Sequence, residues 1–405
     1  MAASTLVKAR WIFPVASEPI AHGAIEITAD GRTDAIHRHV PRGADDLGDV
    51  AIVPGFVNAH THLEFSDLPA PLSPAQPFAA WMRALIGYRR SRGDGATAVR
   101  RGVEECRRSG TVGFGEIVTQ DWAAPTPADA PGAVLFRELI GFPAETVDER
   151  FEIARRFLQA DSCGSAGEAI RGLSPHAPYS VHPTLFERIV ALAAERRAPL
   201  TMHLAETQAE LQLLREGQGE LVDLLSDLGA WRSGIVPRGT RLLDYLRPLA
   251  TLERVVIAHG NYLDDEEIDF VATHRNLAVA YCPRTHAYFG HAEHPWRKLI
   301  ARGGLVAIGT DGRCSNPDLS IWNELLFLSG RFPQFDPATL LRMGTLNGAR
   351  ALGLETRLGT LEKGKAARAA IVRLGDVATG DPYAELFHPD SCVARLLVDE
   401  QSTRD

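Results

Sequence analysis

Cysteine, lysine and long apolar runs are all scarce in this chain of 405 residues. The five cysteines are widely spaced and odd in number, so neither a disulfide framework nor a thiolate zinc site is indicated. No run reaches the roughly 18 apolar residues of a membrane span, and the first twenty residues lack the basic start and apolar stretch of a secretory signal. We therefore expect a cytoplasmic protein with no membrane segment.

Basic residues are outnumbered, because 43 lysines and arginines stand against 51 aspartates and glutamates, a formal net charge of -8. With no long basic run, this charge argues against a nucleic-acid or anionic-membrane partner. A hydrophobic share of 45% and a charged share of 23% are ordinary for a packed globular protein. The expected partner is a small-molecule substrate, and a homodimer stays open as the assembly.

Short apolar, β-branched runs alternate with longer segments of helical spacing through the middle of the chain. Eight such runs can be counted, at residues 50–58, 111–118, 133–140, 169–174, 199–204, 254–258, 277–282 and 304–310. Helix candidates between and after them include residues 183–197, 208–229 and 336–353. Alternating strands and helices imply parallel pairing, and eight units predict an α/β protein with a (β/α)8 TIM barrel. An open doubly wound sheet is the alternative.

The two ends of the chain do not follow that rhythm. Residues 4–13 and 24–28 are typical of short strands, and a turn-rich strand pattern follows Leu354. We expect both ends to form one small discontinuous β-sandwich domain, residues 1–54 and 355–405, around a barrel of residues 55–354. The proline-rich stretch 69–77 is interpreted as a loop over the barrel mouth.

His60 and His62 follow the first apolar run directly. In an extended backbone, residues two apart point to the same side, so both imidazoles can face the barrel axis. Active sites of this fold assemble at the carboxyl ends of the strands. A His-x-His pair on its own is more often a solvated loop than a metal site, so this pair needs partners.

Three further strand ends carry residues suited to metal or proton chemistry. His203 and then Glu206 end the fifth run, His259 follows the sixth, and Asp311 follows the eighth. Taken singly, Asp311 could cap a helix and His203 could be a core residue. Together, three neutral imidazoles and one carboxylate suit a zinc or ferrous ion that keeps one position open for water.

An ordered series of motifs resembles the amidohydrolase superfamily, in its branch of cytosine, guanine and adenosine-analogue deaminases and related chlorohydrolases. The motifs are VPGFVNAHTHLEF, SPHAPYSVHPTLF, TMHLAETQAELQLL, IAHG, YCPRTHAYFG, AIGTDG and the tail LGTLEKGKAARAAIV, and they cover nearly all of the chain. The resemblance implies a hydrolase of non-peptide carbon–nitrogen bonds that uses a divalent metal. It implies as metal ligands His60, His62, His203 and Asp311, as proton shuttle Glu206, as polarising residue near the attacking water His259, and as substrate contact His176.

The chemistry of deamination gives these residues matching tasks. A divalent metal lowers the pKa of bound water towards about 7, and Asp311 would accept the proton of that water. A carboxyl group must then donate a proton to the ring nitrogen beside the attacked carbon, and Glu206 is suited to this. Glu206 would lie on the opposite face from His203 in an ideal strand, so the chain has to turn after Leu204.

The positions of the four lysines bear on the number of metal ions. Relatives with two metals usually bridge them with a carboxylated lysine on a central strand, whereas Lys8, Lys298, Lys363 and Lys365 all lie outside the eight runs. We therefore expect one divalent ion, zinc in the first place and ferrous iron as the alternative. Glu116 and Glu138, on the second and third runs, keep a carboxylate bridge open.

The substrate is indicated by longer motifs. HTHLEFSDL, PFAAWMRALIGYRR and TDGRCSNPDLSIWNELLFL are most similar to aminodeoxyfutalosine deaminases, which implies removal of the adenine amino group of 6-amino-6-deoxyfutalosine in menaquinone biosynthesis. YCPRTHAYFG departs from the Ser-Asn that usually follows Cys-Pro in these relatives. Alternatives are a deaminase of S-adenosylhomocysteine or methylthioadenosine, of guanine or of cytosine, a chlorohydrolase-type hydrolase, and a scaffold protein without catalysis.

Two further residues are candidate substrate contacts. Glu64 could bind a ribose hydroxyl or cap the loop after the first strand, and Trp81 could stack on a base or belong to the core. A loop with His286, His291 and His294 matches no standard metal spacing, so we expect solvated or substrate-facing histidines there.

Overall fold

The computed structural model describes residues 4–93, 95–120, 132–159 and 169–397. The strands are β1 (Thr5–Lys8), β2 (Trp11–Ile12), β3 (Ile20–Ala21), β4 (Ala24–Ile27), β5 (Thr33–His37), β6 (Asp45–Asp46), β7 (Val50–Pro54), β8 (Phe56–Thr61), β9 (Thr111–Val118), β10 (Gly132–Leu139), β11 (Ile170–Pro175), β12 (Leu200–Leu204), β13 (Val255–His259), β14 (Leu277–Tyr281), β15 (Leu305–Ile308), β16 (Ala369–Arg373) and β17 (Cys392–Leu397). The α-helices are α1 (Phe78–Ser91), α2 (Gly95–Arg108), α3 (Val147–Gln159), α4 (Pro183–Arg196), α5 (Gln208–Glu216), α6 (Glu220–Asp227), α7 (Leu242–Leu249), α8 (Asp265–Thr273), α9 (Pro283–Tyr288), α10 (Trp296–Ala301), α11 (Ile321–Arg331), α12 (Pro337–Met343), α13 (Leu346–Leu352) and α14 (Pro382–Leu386).

Strands β8 to β15 form one sheet in which each strand pairs with its neighbour in the sequence. The pairs from β10 to β15 are parallel, and the register of β12 with β13 runs from Leu200 opposite Val255 to Leu204 opposite His259. A parallel bridge between Thr61 and Asp311 joins the two ends of the series. The predicted (β/α)8 barrel is therefore confirmed, and the open doubly wound sheet is excluded.

The first apolar run divides into two strands that belong to different sheets. β7 ends at Pro54 and lies in a five-stranded sheet, whereas β8 begins at Phe56 and opens the barrel. Gly55 separates them, and a Cβ atom there would lie 2.4 Å from a methyl group of Val112 and 2.8 Å from the carbonyl of Arg368. Apolar periodicity does not reveal such a close approach, so the sequence predicted a single strand here.

Two predicted helices are likewise divided. Residues 208–229 form α5 and α6, because Gly217 ends α5 in the left-handed region with φ of 64°. Residues 336–353 form α12 and α13, with Gly344 between them. The helix predicted over 183–197 matches α4, which ends one residue earlier.

The chain divides into two compact units. One comprises Met1–Asn58, Val103–Phe114 and Ser320–Asp405, and the other comprises Ala59–Gly102 and Gly115–Leu319. The first unit holds two small sheets, of strand orders β5-β4-β1-β6 and β17-β16-β7-β2-β3. β16 pairs with β7, so strands from both chain ends share a sheet, as expected for the discontinuous β-sandwich. The predicted domain boundaries near residues 54 and 354 stay a proposal.

The core of the first unit takes apolar side chains from both small sheets. It includes Val7, Ile12, Ile25, Ile52, Ala369 and Ile371, all of them buried. Burial of this apolar surface is the main driving force that joins the two chain ends.

No helix in the described ranges has the length and apolar character needed to cross a membrane.

Three cysteines, Cys106, Cys282 and Cys314, are buried as expected of small core residues, and Cys392 is half-buried. Cys163 lies outside the described residues.

Candidate active site

Three imidazoles and a carboxylate meet at the carboxyl ends of the barrel strands. His60 lies in β8, His62 directly follows it, His203 lies in β12, and Asp311 follows β15. All four are buried, with exposed fractions of 1% to 6%. Nitrogen atoms of His60, His62 and His203 lie within 4.8 Å of one another, and so do ligand atoms of His60, Asp311 and His259. The structure thus brings the predicted metal ligands together.

The separations between the ligand atoms suit one metal ion. Nε2 of His62 lies 3.2 Å from Nε2 of His203, and Oδ1 of Asp311 lies 3.6 Å from Nε2 of His62 and 3.8 Å from Nε2 of His60. Ligands at about 2.0–2.1 Å from a tetrahedral zinc ion are about 3.3 Å apart. The residues present therefore fit a single divalent ion.

The protonation of the imidazoles also suits metal binding. Burial lowers the pKa of His203 to about 3, and burial together with neighbouring histidines lowers the pKa of His60 and His62 well below the usual value. Nδ1 of His203 lies 3.2 Å from the carbonyl oxygen of His176, which can only accept a hydrogen bond. Nδ1 therefore carries the proton, and Nε2 presents a lone pair to the cluster.

Asp311 is held by its own surroundings. Oδ2 accepts a hydrogen bond from Oγ of Ser315 at 2.5 Å, which leaves Oδ1 facing the imidazoles. The backbone of Asp311 has φ of 56°, and its carbonyl accepts a hydrogen bond from the Thr61 hydroxyl at 3.2 Å. Ser315 escaped the sequence analysis, although its spacing of four residues from Asp311 in TDGRCS is short enough for a local contact.

The turn required after Leu204 is present. β12 ends there, and Ala205 follows with φ of 57°, in the left-handed region that non-glycine residues seldom adopt. The turn brings Oε1 of Glu206 to 3.6 Å from Nε2 of His259. Burial raises the pKa of Glu206 well above its usual value, and the negative charges of Asp311 and Glu210 raise it further. Glu206 is therefore a carboxyl group that can donate a proton.

The backbone around Glu206 is held by two residues that the sequence analysis missed. The carboxylate of Glu210 accepts hydrogen bonds from the backbone N–H groups of Ala205 at 3.0 Å and Glu206 at 2.8 Å. Nδ2 of Asn261 donates to the carbonyl of Glu206 at 2.9 Å. A signal for Glu210 exists in the pattern Thr207-x-x-Glu210, which is typical of a capping box.

His176, the predicted substrate contact, borders the metal ligands. Its ring centre lies 4.7 Å from that of His203, and its Nδ1 lies 2.6 Å from Oγ of Ser180. Nε2 lies 3.9 Å from Oε1 of Glu138, a buried carboxyl whose pKa is raised by its burial. His176 is itself neutral, because burial lowers its pKa to about 3.

Glu64 is engaged in an ion cluster. Its Oε1 accepts hydrogen bonds from Nε and Nη2 of Arg89 at 3.1 and 2.6 Å. Its Oε2 accepts one from Nη2 of Arg92 and one from the Thr119 hydroxyl. Both guanidinium groups also lie over the ring of Phe65. This arrangement anchors the segment after β8, and contact of Glu64 with a ribose hydroxyl stays a prediction.

Trp81 is packed into its surroundings. It is 5% exposed, its ring contacts those of Phe78 and Phe289, and its indole N–H donates to the carbonyl of Cys314 at 3.2 Å. Such a placement is the one expected of a core residue. Its contact with a substrate base stays a prediction.

The carboxylate of Glu116 accepts a hydrogen bond from the backbone. Both of its oxygens lie within 3.1 Å of the backbone nitrogen of Leu63, directly after His62. Among the described residues, the groups whose ligand atoms lie within 4.8 Å of one another include neither Glu116 nor Glu138. This geometry favours the single-ion prediction over a carboxylate bridge.

The crowded histidine loop has three separate sets of contacts. Nε2 of His294 donates to the carbonyl of His259 at 2.8 Å, and its Nδ1 accepts from the backbone N–H of Trp296 at 2.9 Å. His286 contacts the carbonyl of Ala292, and His291 contacts the hydroxyl of Tyr262. Within the described ranges these three histidines form no metal-binding group.

Known proteins match this chain over most of its length. The model of the amidohydrolase family matches residues 51–399, which include every residue of the metal-binding groups. An aminodeoxyfutalosine deaminase of Deinococcus radiodurans is 31% identical over 347 residues, 82% of this chain and 80% of the relative. A 5-methylthioadenosine/S-adenosylhomocysteine deaminase of Moorella thermoacetica is 32% identical over 390 residues, 91% of this chain and 85% of the relative.

A solved structure with similar architecture contains zinc. It is an adenosine deaminase from Xanthomonas campestris with bound zinc, with a TM-score of 0.76 and 25% sequence identity, covering 96% of this chain and 89% of that one. The likeness therefore extends over most of the length of both chains.

Proposed function

The chain belongs to the amidohydrolase family, and we propose that it is a zinc-dependent deaminase whose substrate is 6-amino-6-deoxyfutalosine. At the level of reaction and substrate class, the chain is a metal-dependent hydrolase of carbon–nitrogen bonds that acts on adenosine-type nucleosides. The named substrate rests on the Deinococcus radiodurans relative and on the motifs around His62 and Asp311.

The observation that carries this function is the position of the Glu206 carboxyl group. It is buried, its pKa is raised well above the usual value by that burial, and it lies 3.6 Å from His259, beside a group of imidazoles and one carboxylate. A deaminase needs such a proton donor next to its metal, because the ring nitrogen beside the attacked carbon gains a proton.

We propose that a single zinc ion is held by His60, His62, His203 and Asp311. Three imidazole nitrogens and one carboxylate oxygen are ligands that suit zinc, and the distances between their ligand atoms are short enough for these residues to hold one ion. When bound, the metal ion makes hydroxide available as a nucleophile at neutral pH.

The residues of the chain then divide the remaining work. Asp311 accepts the proton of the attacking water, and the Glu206 carboxyl donates its proton to the ring nitrogen. As the C=O bond forms, the Glu206 carboxylate regains a proton from the added hydroxyl group, and Asp311 gives its proton to the amino group, which leaves as ammonia. His259 orients the attacking water, and His176 contacts the purine ring.

A substrate panel tests the proposal. Purified zinc-loaded protein is incubated with 6-amino-6-deoxyfutalosine, adenosine, methylthioadenosine, S-adenosylhomocysteine, guanine, cytosine and a chlorotriazine, and ammonia and chloride are measured. We expect the highest kcat/KM for 6-amino-6-deoxyfutalosine. Chloride release without ammonia would instead assign the chain to the chlorohydrolases, and a protein inactive on the whole panel would contradict the proposal.

Methylthioadenosine and S-adenosylhomocysteine define a second candidate function. The Moorella thermoacetica relative, named for these substrates, covers 91% of this chain at 32% identity. A higher kcat/KM for either of them than for 6-amino-6-deoxyfutalosine would favour this function.

The homodimer and the cytoplasmic location stay predictions, which light scattering and cell fractionation test.

A further inference from the structure

We propose that Glu210 is a positioning residue that holds the Glu206 carboxyl group in its place for proton transfer. The inference rests on the proposed function for its kinetic part, and on the structure alone for its geometric part. Glu210 lies in the first turn of α5, four residues beyond Glu206, and is fully buried.

The problem that Glu210 solves is set by the backbone. His203 and Glu206 can serve one site only if the chain leaves the strand direction between them, and Ala205 does this at φ of 57°. A left-handed alanine is unfavourable, so its neighbours have to stabilise it. The N–H groups of Ala205 and Glu206 at this turn also take no part in strand pairing, so they need other acceptors.

The Glu210 carboxylate supplies both acceptors. One oxygen lies 3.0 Å from the Ala205 nitrogen, and the other lies 2.8 Å from the Glu206 nitrogen. The carboxylate is itself oriented by α5, because the backbone N–H of Glu210 donates to the Thr207 hydroxyl that caps this helix. The helix start, the turn and Glu206 therefore form one connected unit.

The opposite side of the same backbone is held by the segment after β13. Nδ2 of Asn261 donates to the carbonyl of Glu206 at 2.9 Å, and the N–H of Tyr262 donates to the carbonyl of Ala205 at 3.1 Å. Glu206 is thus fixed through its N–H by α5 and through its carbonyl by Asn261. Because Asn261 lies two residues after His259, these hydrogen bonds also fix Glu206 relative to His259.

A carboxylate is required at position 210 for a chemical reason. The two donors are fixed in the backbone, and only a group with two accepting oxygens can serve both of them. Glutamine has almost the same shape but replaces one oxygen by an NH2 group that faces an N–H. Glu210→Gln therefore removes one of the two contacts while it keeps the packing.

The kinetic test compares Glu210→Gln with Glu216→Gln, an exposed glutamate at the other end of α5. We expect Glu210→Gln to lower kcat by about 10- to 100-fold, the cost of slightly misplacing a reacting group, with KM and bound metal unchanged. Glu216→Gln should leave all three unchanged. An unchanged kcat, or loss of metal in Glu210→Gln, would contradict a positioning role.

A double variant tells whether Glu210 acts through Glu206. In the background of Glu206→Gln, adding Glu210→Gln should reduce the residual kcat by less than about twofold, because the group that Glu210 positions is already gone. A loss as large as in the wild-type background would show that Glu210 acts elsewhere, and would overturn the inference.

Hydrogen exchange separates failure of this inference from failure of the proposed function. Exchange of the amides in the peptide that contains Ala205 and Glu206 should be at least about tenfold faster in Glu210→Gln than in Glu216→Gln, with other peptides unchanged. This measurement needs no substrate. It therefore tests the contacts of Glu210 with Ala205 and Glu206 even if the protein is inactive on the whole panel. Equal exchange in both variants would refute it.

Discussion

Nε2 of His259 lies 3.6 Å from Oε1 of Glu206, with both side chains less than a tenth exposed. Burial lowers the pKa of His259 well below its usual value and raises that of Glu206 well above its usual value. Burial therefore favours the uncharged form of each group, a carboxylic acid beside a neutral imidazole, over a salt bridge. In this form Glu206 holds the proton that the proposed reaction requires.

We expect Glu206→Gln to reduce turnover strongly without disturbing the metal site. The amide keeps the shape of the side chain but cannot deliver a carboxyl proton, so kcat should fall by about 100- to 10,000-fold. Ammonia release and metal content are measured on the same samples, with the exposed Glu195→Gln as the matched control. Ammonia release by Glu206→Gln at the wild-type rate would remove Glu206 from the mechanism.

Metal retention should fall in a graded way across two variants. His203→Ala removes a ligand and should leave well under a tenth of the wild-type metal content after dialysis. Ser315→Ala keeps all four ligands but removes the hydrogen bond that orients Asp311, together with the contact to the Thr285 hydroxyl, and we expect it to weaken metal affinity by about 10- to 100-fold. Competition with a chromophoric chelator measures both effects.

The control for the metal experiment is His182→Asn. His182 caps α4 by accepting a hydrogen bond from the backbone of Thr184, and asparagine preserves such a cap. This variant should bind metal as tightly as the wild type. Wild-type affinity in both His203→Ala and Ser315→Ala would contradict the assigned ligand set.

The barrel and its principal site residues could be predicted because both leave local signals. Buried parallel strands are continuous apolar runs, and seven of the eight predicted runs match β9 to β15 within two residues at either end. His60, His62, His203 and Asp311 could be found because each lies at or just beyond the end of such a run. Their convergence then follows from the closure of the barrel.

The residues that hold this site in place could not be predicted in the same way. Glu210 resembles any acidic residue in the first turn of a helix, and its role depends on the left-handed turn at Ala205. Asn261 donates a hydrogen bond to Glu206, 55 positions away in the sequence. Glu64 binds Arg89 of α1 and Arg92, which directly follows that helix. Such contacts depend on the tertiary structure, which hydrophobic periodicity does not encode.

The stability of the protein should depend on His294 in a way that changes with pH. Both ring nitrogens of His294 are used, Nε2 as donor to the carbonyl of His259 and Nδ1 as acceptor from Trp296. Burial lowers the pKa of His294 to about 3, and the neighbouring His286 and His291 add to this effect. Because the pKa of an unfolded histidine is about 6.5, the unfolded state binds more protons between pH 6.5 and 3.

The contribution of His294 is thus complete above pH 6.5 and is lost as the pH falls towards 3, by about 1.4 kcal/mol per pH unit. At pH 7.5 we expect His294→Asn to be less stable than the wild type by about 1–3 kcal/mol, because it loses the donor to His259 and the ring stacked on Tyr281. Because asparagine does not titrate, urea unfolding at pH 6.5, 5.5 and 4.5 should show this difference shrinking by about 1.4 kcal/mol per pH unit and changing sign once the loss exceeds its value at pH 7.5. His22→Asn, at an exposed histidine, controls for removal of a surface ring. A stability difference between His294→Asn and the wild type that stays constant from pH 7.5 to 4.5 would mean that burial does not hold His294 neutral in the folded protein.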